Sequence, residues 1–395
     1  MATIQRLPLV VGYGVIETPF SLEAPDMKRV LIAPHRYVQG RGVLKELGTY
    51  VAALGKKPLV LWDSCVKGIV GETVLASLAD AGLEVVDVEF QGESSHEEVD
   101  RVVRIVQSEG ADVSIGVGGG KTLDTAKATA AAAGLKMVTV PTIASTDTPT
   151  SSATVWYDAE GNCTGFECWA HNPHLVLVDS QVIANGPVRA FVSGMGDGLS
   201  TWVEAEAAYK TRATNLGGGQ STMAALTLAQ LCFETLLEHG LDAKRAVELN
   251  VVTPAVEKVV EANVLLSGLG FESGGLATAH MIANILSSYP ECKGLMHGEK
   301  VAFGVISQLC LDDEVDMDEV YGIVDFEIAV GLPVTFAELG FESVDREKLQ
   351  TIGDICAGEG SLCANHPFEV TSESIIDAMI AADALGRARK ELRGG

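Results

Sequence analysis

The chain of 395 residues has no CxxC pair among its eight cysteines, at 65, 163, 168, 232, 292, 310, 356 and 363. That excludes zinc-ribbon and dithiol-redox motifs of the usual spacing. A chain of this length builds full cores without disulfide staples, so the cysteines read as reduced, mostly buried thiols. Cys163 and Cys168 are the nearest to a redox or metal pair, and no second pair accompanies them. Basic residues are scarce: 28 Lys and Arg stand against 53 Asp and Glu, a net charge of −25. Such a charge repels nucleic acid and anionic membranes and names no substrate. No run reaches the roughly 18 to 20 apolar residues of a membrane span. "MATIQRLPLVVGYGVIETPF" lacks a basic segment followed by an apolar core, so no signal peptide is read and the expected compartment is the cytoplasm. With 47% hydrophobic and 21% charged residues, a disordered chain is excluded as well.

What is present is an alternation. "RVLIA" (29 to 33), "PLVLW", "EVVDVEF", "DVSIG", "KMVTV" and "LVLVD" read as strands. Helical segments such as "GVLKELGTYVAAL" and "EEVDRVVRIVQSEG" lie between them, the second closed by Gly110. Strand and helix in turn predict a parallel sheet covered on both faces. "ATVWYDAEGNCTGFECW" predicts a hairpin around Asp158 to Asn162. Beyond about residue 186 the strand signal fades. "STMAALTLAQLCFETLLEHG" predicts a helix stopped by Gly240, and "TPAVEKVVEANVLLSGLG" one capped by Thr253 with Pro254 in its first turn. The expected organisation is an α/β domain over 1–185 and a helical domain over 186–395, with the boundary near Ala184 to Val188. The first 27 residues read as a strand arm or a loosely held extension.

"SIGVGGGKTLDTAK" (114 to 127) invites a phosphate. It is no Walker A loop, because Ile115 stands where that motif needs its first glycine, and no GxGxxG, because Lys121 takes the third glycine position. The physics survives both failures. A strand ending at Ile115, Gly118 to Gly120, and a helix from about Thr122 would turn backbone N–H groups and a helix N-terminus toward a diphosphate. Asp63, just after "PLVLW", can hold ribose hydroxyls and would repel a 2′-phosphate, favouring NAD over NADP. "PTIASTDTPTSS" (141 to 152), dense in hydroxyls and carrying Asp147, follows another strand on the same rim. A second triplet, "NLGGGQS", follows no strand and reads as a flexible helix lead-in.

The helical half holds Asp197, flanked by Gly196 and Gly198, then His280 among Ala, Met and Ile, and His297 ahead of a helical run. Asp197 reads as opening a helix, with the two glycines leaving space around its carboxylate. One carboxylate and two imidazoles suit a catalytic Zn²⁺ or Fe²⁺ with an open position.

Together "GVGGGKTLDTAK", "PTIASTDTP", "GMGDGLSTW", "FESGGLATAH" and "HGEKVAFG", in this order, resemble the glycerol dehydrogenase branch of the iron-containing alcohol dehydrogenase family. The resemblance runs from about residue 29 nearly to the end. It implies a Rossmann-like N-terminal domain, an all-α C-terminal domain and a cleft between them. It implies metal ligation by Asp197, His280 and His297, usually of zinc, with iron as the alternative. It implies a pyrophosphate loop of Gly118, Gly119, Gly120, Lys121 and Thr122, and ribose binding by Asp63. NAD contacts are implied for Thr142, Ser145, Ser151, Ala153 and Tyr157, and contact with a polyol for Asp147. The implied reaction is hydride transfer from a small polyol or vicinal diol to NAD, and the implied assembly a homo-oligomer, commonly an octamer. After Tyr157 the chain departs from the branch's acidic-aromatic pattern, so Trp169, His171 and the nearby cysteines are expected to reshape the substrate side. Rivals on the same scaffold are a dehydroquinate synthase-like enzyme, a 2-oxo acid reductase and a non-catalytic NAD-binding protein.

Overall fold

The computed structural model describes the backbone of β1 (Leu7–Val11) and β2 (Gly14–Thr18), then residues 28–342 and 346–394. Eight strands follow: β3 (Tyr37–Gly40), β4 (Pro58–Trp62), β5 (Val86–Glu89), β6 (Val113–Gly118), β7 (Lys136–Pro141), β8 (Ala153–Tyr157), β9 (Cys163–Cys168) and β10 (Leu175–Asp179). Six of them form one sheet in the order β3-β10-β7-β6-β4-β5, every neighbour parallel. Its central strands "PLVLW" and "LVLVD" are buried along their whole length, as a sheet covered on both faces requires. The covering helices include Ser64–Asp80, His96–Glu109 and Gly120–Ala133. The second is capped by the Ser95 hydroxyl, which accepts from Glu98 N, and ends at Gly110 in the left-handed region (φ 71°).

The predicted hairpin is β8–β9. The Asp158 carboxylate closes its turn by accepting from the backbone N–H of Glu160 and Asn162. It belongs to a four-stranded sheet, β1-β2-β9-β8, so part of the N-terminal arm is indeed strand. The rest of that arm lies outside the described residues.

Beyond β10 the described elements are helical. Val188–Thr211 and Met223–Val247 are the longest, followed by Pro254–Glu261, which passes through a π turn (Ala262–Leu266) into Ser267–Gly274. Thr278–Leu286, His297–Leu309, Met317–Val330, Arg346–Cys356 and Ser372–Leu392 come next, and the short helix Ser180–Ala184 and the 3-10 turns Pro290–Cys292 and Leu362–Asn365 complete the set. No helix among the described residues is long and apolar enough to cross a membrane.

Four local expectations need correction. "RVLIA" is not a strand of the sheet: Arg29 makes one isolated bridge to Gln220, and the edge strand is β3. The reason is the second glycine triplet. It is no flexible lead-in but a buried turn against this segment, where a Cβ on Gly217 or Gly219 would come within 2.8 or 2.6 Å of the Val30 side chain. Gly240 does not stop its helix, which runs to Val247. A Cβ there would meet the Phe326 ring at 2.6 Å, so the glycine serves packing. In the phosphate loop β6 extends to Gly118 rather than Ile115, and the helix starts at Gly120 rather than Thr122.

Candidate active site

Asp197 lies inside the Val188–Thr211 helix, not at its start. Gly196 and Gly198 do not leave room around the carboxylate; they let other elements close in. A Cβ on Gly196 would overlap the Gly298 carbonyl oxygen, one on Gly298 would overlap that of Ser193, and one on Gly198 would meet Leu236 at 2.8 Å. The helix carrying Asp197 is thereby pressed against His297–Leu309, which carries His297 as its first residue. His280 is the third residue of Thr278–Leu286.

The three side chains converge. His297 Nε2 is 3.3 Å and His280 Nε2 3.6 Å from the same oxygen, Asp197 Oδ1. The three donor atoms lie within 4.8 Å of one another. Oδ1 is buried and has no hydrogen-bond partner among the described residues. An orphaned carboxylate oxygen faced by two imidazole nitrogens fits a divalent cation of the N,N,O type. Burial pushes the Asp197 carboxyl up, but His297 and His280 outweigh it and hold it well below the ordinary range. His280 is raised: burial opposes its charge, and Glu204 and Asp197 prevail. Both shifts arise because the Asp197 and Glu204 carboxylates draw positive charge to this point, which is what a cation site requires.

Asp147 stands beside this cluster. Its backbone N–H donates to Asp197 Oδ2 (3.3 Å), and its Oδ2 accepts from the Ser267 hydroxyl (3.1 Å). Burial, then the Asp197 charge, raise its carboxyl well above the usual range.

Asp63, the glycine loop, Thr142 and Ser145 lie on the carboxyl edge of three adjacent strands, whereas Ala153 and Tyr157 are the first and last residues of β8 in the other sheet. Asp63 follows β4, the glycines end β6, and Thr142 and Ser145 follow β7, with Thr142 N donating to Gly118 O at 3.0 Å. Gly119 caps the Gly120–Ala133 helix and brings no side-chain oxygen, so the first-turn N–H groups are left for an anion. Thr122 packs against Gly118. The Lys121 ammonium pairs with Glu93 and lies 4.4 Å from the Tyr157 ring centroid. Asp63 also performs ordinary turn chemistry, its Oδ1 accepting from Val66 N at 2.7 Å.

Sequence reading missed the buried groups that fix the hydroxyl-rich loop. Lys127, fully buried, donates to Thr148 O (3.0 Å), to Ala153 O and, more loosely, toward Ser151, and pairs with Asp124 at 2.9 Å. Glu272 accepts from Ser152 N (2.6 Å) and from Asn172. Ser151 and Ala153 are thus held by this lattice. Also missed was Glu204, whose carboxylate is 2.5 Å from His280 Nδ1. Its one sequence signal is the spacing from Asp197, two helical turns on the same face.

Trp169 and His171 do not reshape the metal side. With His35, His96, Trp156 and His174 they line a separate cavity of about 810 Å³ that reaches Lys136 and Met137, at the amino end of β7 and so the opposite end of the sheet. From that stretch it is Asp158 and Cys163 that reach electrostatically toward Lys293 and Lys300 of the metal-bearing half. All eight cysteines are free thiols.

A parallel nucleotide-type sheet whose carboxyl edge faces a helix-borne Asp–His–His cluster defines a metal-dependent dehydrogenase. The chain belongs to the iron-containing alcohol dehydrogenase family, whose pattern matches residues 34–180. It is 44% identical over 361 residues to the glycerol dehydrogenase of Citrobacter freundii, covering 91% of this chain and 99% of that one. The glycolaldehyde reductase of Halobacterium salinarum shows the same identity and the same coverage. Among solved structures, the glycerol dehydrogenase of Schizosaccharomyces pombe superposes with a TM-score of 0.89 at 36% identity, over 94% of each chain.

Proposed function

We propose that the chain oxidises a small polyol of the glycerol type to its hydroxyketone, with NAD and a divalent cation. The observation that carries this is the orphaned Asp197 Oδ1 faced by two imidazole nitrogens, on the side of the molecule where the sheet ends in the glycine loop. When bound, the cation supplies Lewis acidity toward a carbinol oxygen and NAD the hydride-accepting ring. Asp197, His280 and His297 hold the cation, and their nitrogen-rich set suits zinc, with iron next. Gly118, Gly119, Gly120, Lys121 and Thr122 cradle the pyrophosphate, Asp63 the ribose, and Thr142, Ser145, Ser151, Ala153 and Tyr157 the remaining cofactor surface. Asp147, whose carboxyl is raised by burial and by the Asp197 charge, hydrogen-bonds a second substrate hydroxyl. Residues 1–185 then act as the nucleotide half and 186–395 as the metal half of one subunit in a homo-oligomer, octameric as in the branch it resembles.

The equal identity to a glycolaldehyde reductase favours a second reading, the same site run in reverse on a small hydroxyaldehyde. One experiment addresses both. Metal content is measured by mass spectrometry, then NADH formation with glycerol, 1,2-propanediol and ethanol, and NADH consumption with glycolaldehyde. The polyols are expected to exceed ethanol, and His280→Ala and His297→Ala to lose both metal and turnover. Full turnover by either variant stripped of metal would reject the scheme.

A further inference from the structure

We infer that Glu204 is a positioning residue that sets the tautomer of His280 and also starts the helix that carries it. The inference rests on the metal reading above. Glu204 is fully buried, on the same face of the Val188–Thr211 helix as Asp197. Its Oε2 lies 2.5 Å from His280 Nδ1, while its Oε1 accepts from the backbone N–H of Ala277 and of His280, both at 2.9 Å.

Each oxygen has a distinct task. The Thr278–Leu286 helix has Ala277 at its N-cap, a residue with no side-chain oxygen to satisfy the first-turn donors. Glu204 Oε1 meets two of those donors from a neighbouring helix. Oε2 is an acceptor only, so it requires the imidazole proton on Nδ1. In the neutral ring that ligation requires, the lone pair is then on Nε2, the nitrogen turned toward Asp197 Oδ1. The Ser200 hydroxyl, 3.4 Å from Nδ1, donates to Asp197 O at 2.7 Å and so leaves the Glu204 contact as the one that decides. One helix face thus presents both a ligand carboxylate and the carboxylate that orients a second ligand. Such outer partners fix ring orientation and raise ligand basicity.

Glu204→Gln separates the two tasks. Its carbonyl oxygen can still accept from Ala277 and His280, but its NH₂ faces Nδ1 and drives the proton to Nε2, which then cannot ligate. The test is Co²⁺ titration of the metal-free protein, read by the visible d–d bands and by chelator competition, alongside thermal melts without metal. Glu204→Gln is expected to melt close to the parent yet bind Co²⁺ about 10- to 100-fold more weakly. Glu204→Asp, which keeps the acceptor, is expected to bind more tightly than Glu204→Gln. Parental affinity in Glu204→Gln, whatever its melting point, overturns the tautomer role. If Glu204→Gln does not fold, Glu204→Asp decides, and a loss as deep as that of His280→Ala overturns the inference. A parent protein that binds no Co²⁺ would instead remove the metal reading and this inference with it.

Discussion

Asp147 and Asp197 are both buried carboxyls, joined through the Asp147 backbone N–H, and their surroundings pull in opposite directions. Asp197 is held low by two imidazoles despite its burial, and Asp147 is held high by burial and by Asp197 itself. Two titrating groups whose environments drive them apart take different roles. Asp197 is the one whose surroundings favour the charge that a cation needs, and Asp147 the one whose surroundings oppose it. Asp147→Asn should therefore leave metal content unchanged and lower kcat/KM for glycerol by roughly tenfold, the worth of one hydrogen bond in a dry site. The loss should be smaller for ethanol, which has no second hydroxyl. Equal losses on both alcohols would show that Asp147 does not read that hydroxyl. At this scale the residue types were legible, because Asp, His and His flanked by glycines and alanines stand out from solvated charge. Lys127 and Glu204 were not, because in "TAKATAAAAG" and "WVEAEAAYK" a buried charge looks like any helical surface charge. Only the fold reveals that each faces inward.

Elements meet where side chains are missing. Gly196 and Gly298 interlock the helices that bear Asp197 and His297, each lying where a Cβ would overlap the other helix's backbone. Gly196→Ala should cost about 1–3 kcal/mol through overpacking and should weaken Co²⁺ binding, because the ligand-bearing helices must part. Gly68→Ala is the contrasting case. It lies in the Ser64–Asp80 helix with nothing within 4 Å of the added Cβ, and should stabilise by about 0.5–1 kcal/mol. Chemical denaturation of the two variants checks both signs. The helices and the parallel sheet were readable from periodicity, caps and β-branched runs. The purpose of single glycines was not, since a helix stop and a contact glycine are spelled alike. Gly240 reads as a stop only until Phe326, far along the chain, is found against it. The same holds for "RVLIA", whose composition is that of a strand but whose partner is a glycine turn of the helical half.

The whole molecule is acidic, and the cavity lined by Trp169 and His171 lies at the end of the sheet away from the metal cluster. His174 marks that end. Burial, followed by the charges of Lys136, His35 and His171, lowers its imidazole to about 4. Its Nδ1 accepts from Met137 N at 3.3 Å, so the folded state favours the neutral ring. In the unfolded chain a histidine titrates near 6.5. Between about pH 4 and 6.5 the unfolded state therefore binds more protons at this position, and stability rises with pH across that window. Above it the contribution is constant. His174→Gln retains an acceptor for Met137 N and removes the titration. Urea midpoints measured with chelator at pH 4.5, 5.5 and 7 should fall more steeply toward acid in the parent than in His174→Gln. Carboxylates held low by partners, such as Asp325 beside Arg389 and Arg393, give the same sign of dependence in both proteins, so the difference between the curves isolates the imidazole. Parallel curves would place the acid-sensitive protons elsewhere. A shallower variant curve with unchanged Co²⁺ affinity would show that acid sensitivity at this end of the sheet is energetically separate from the metal site at the other.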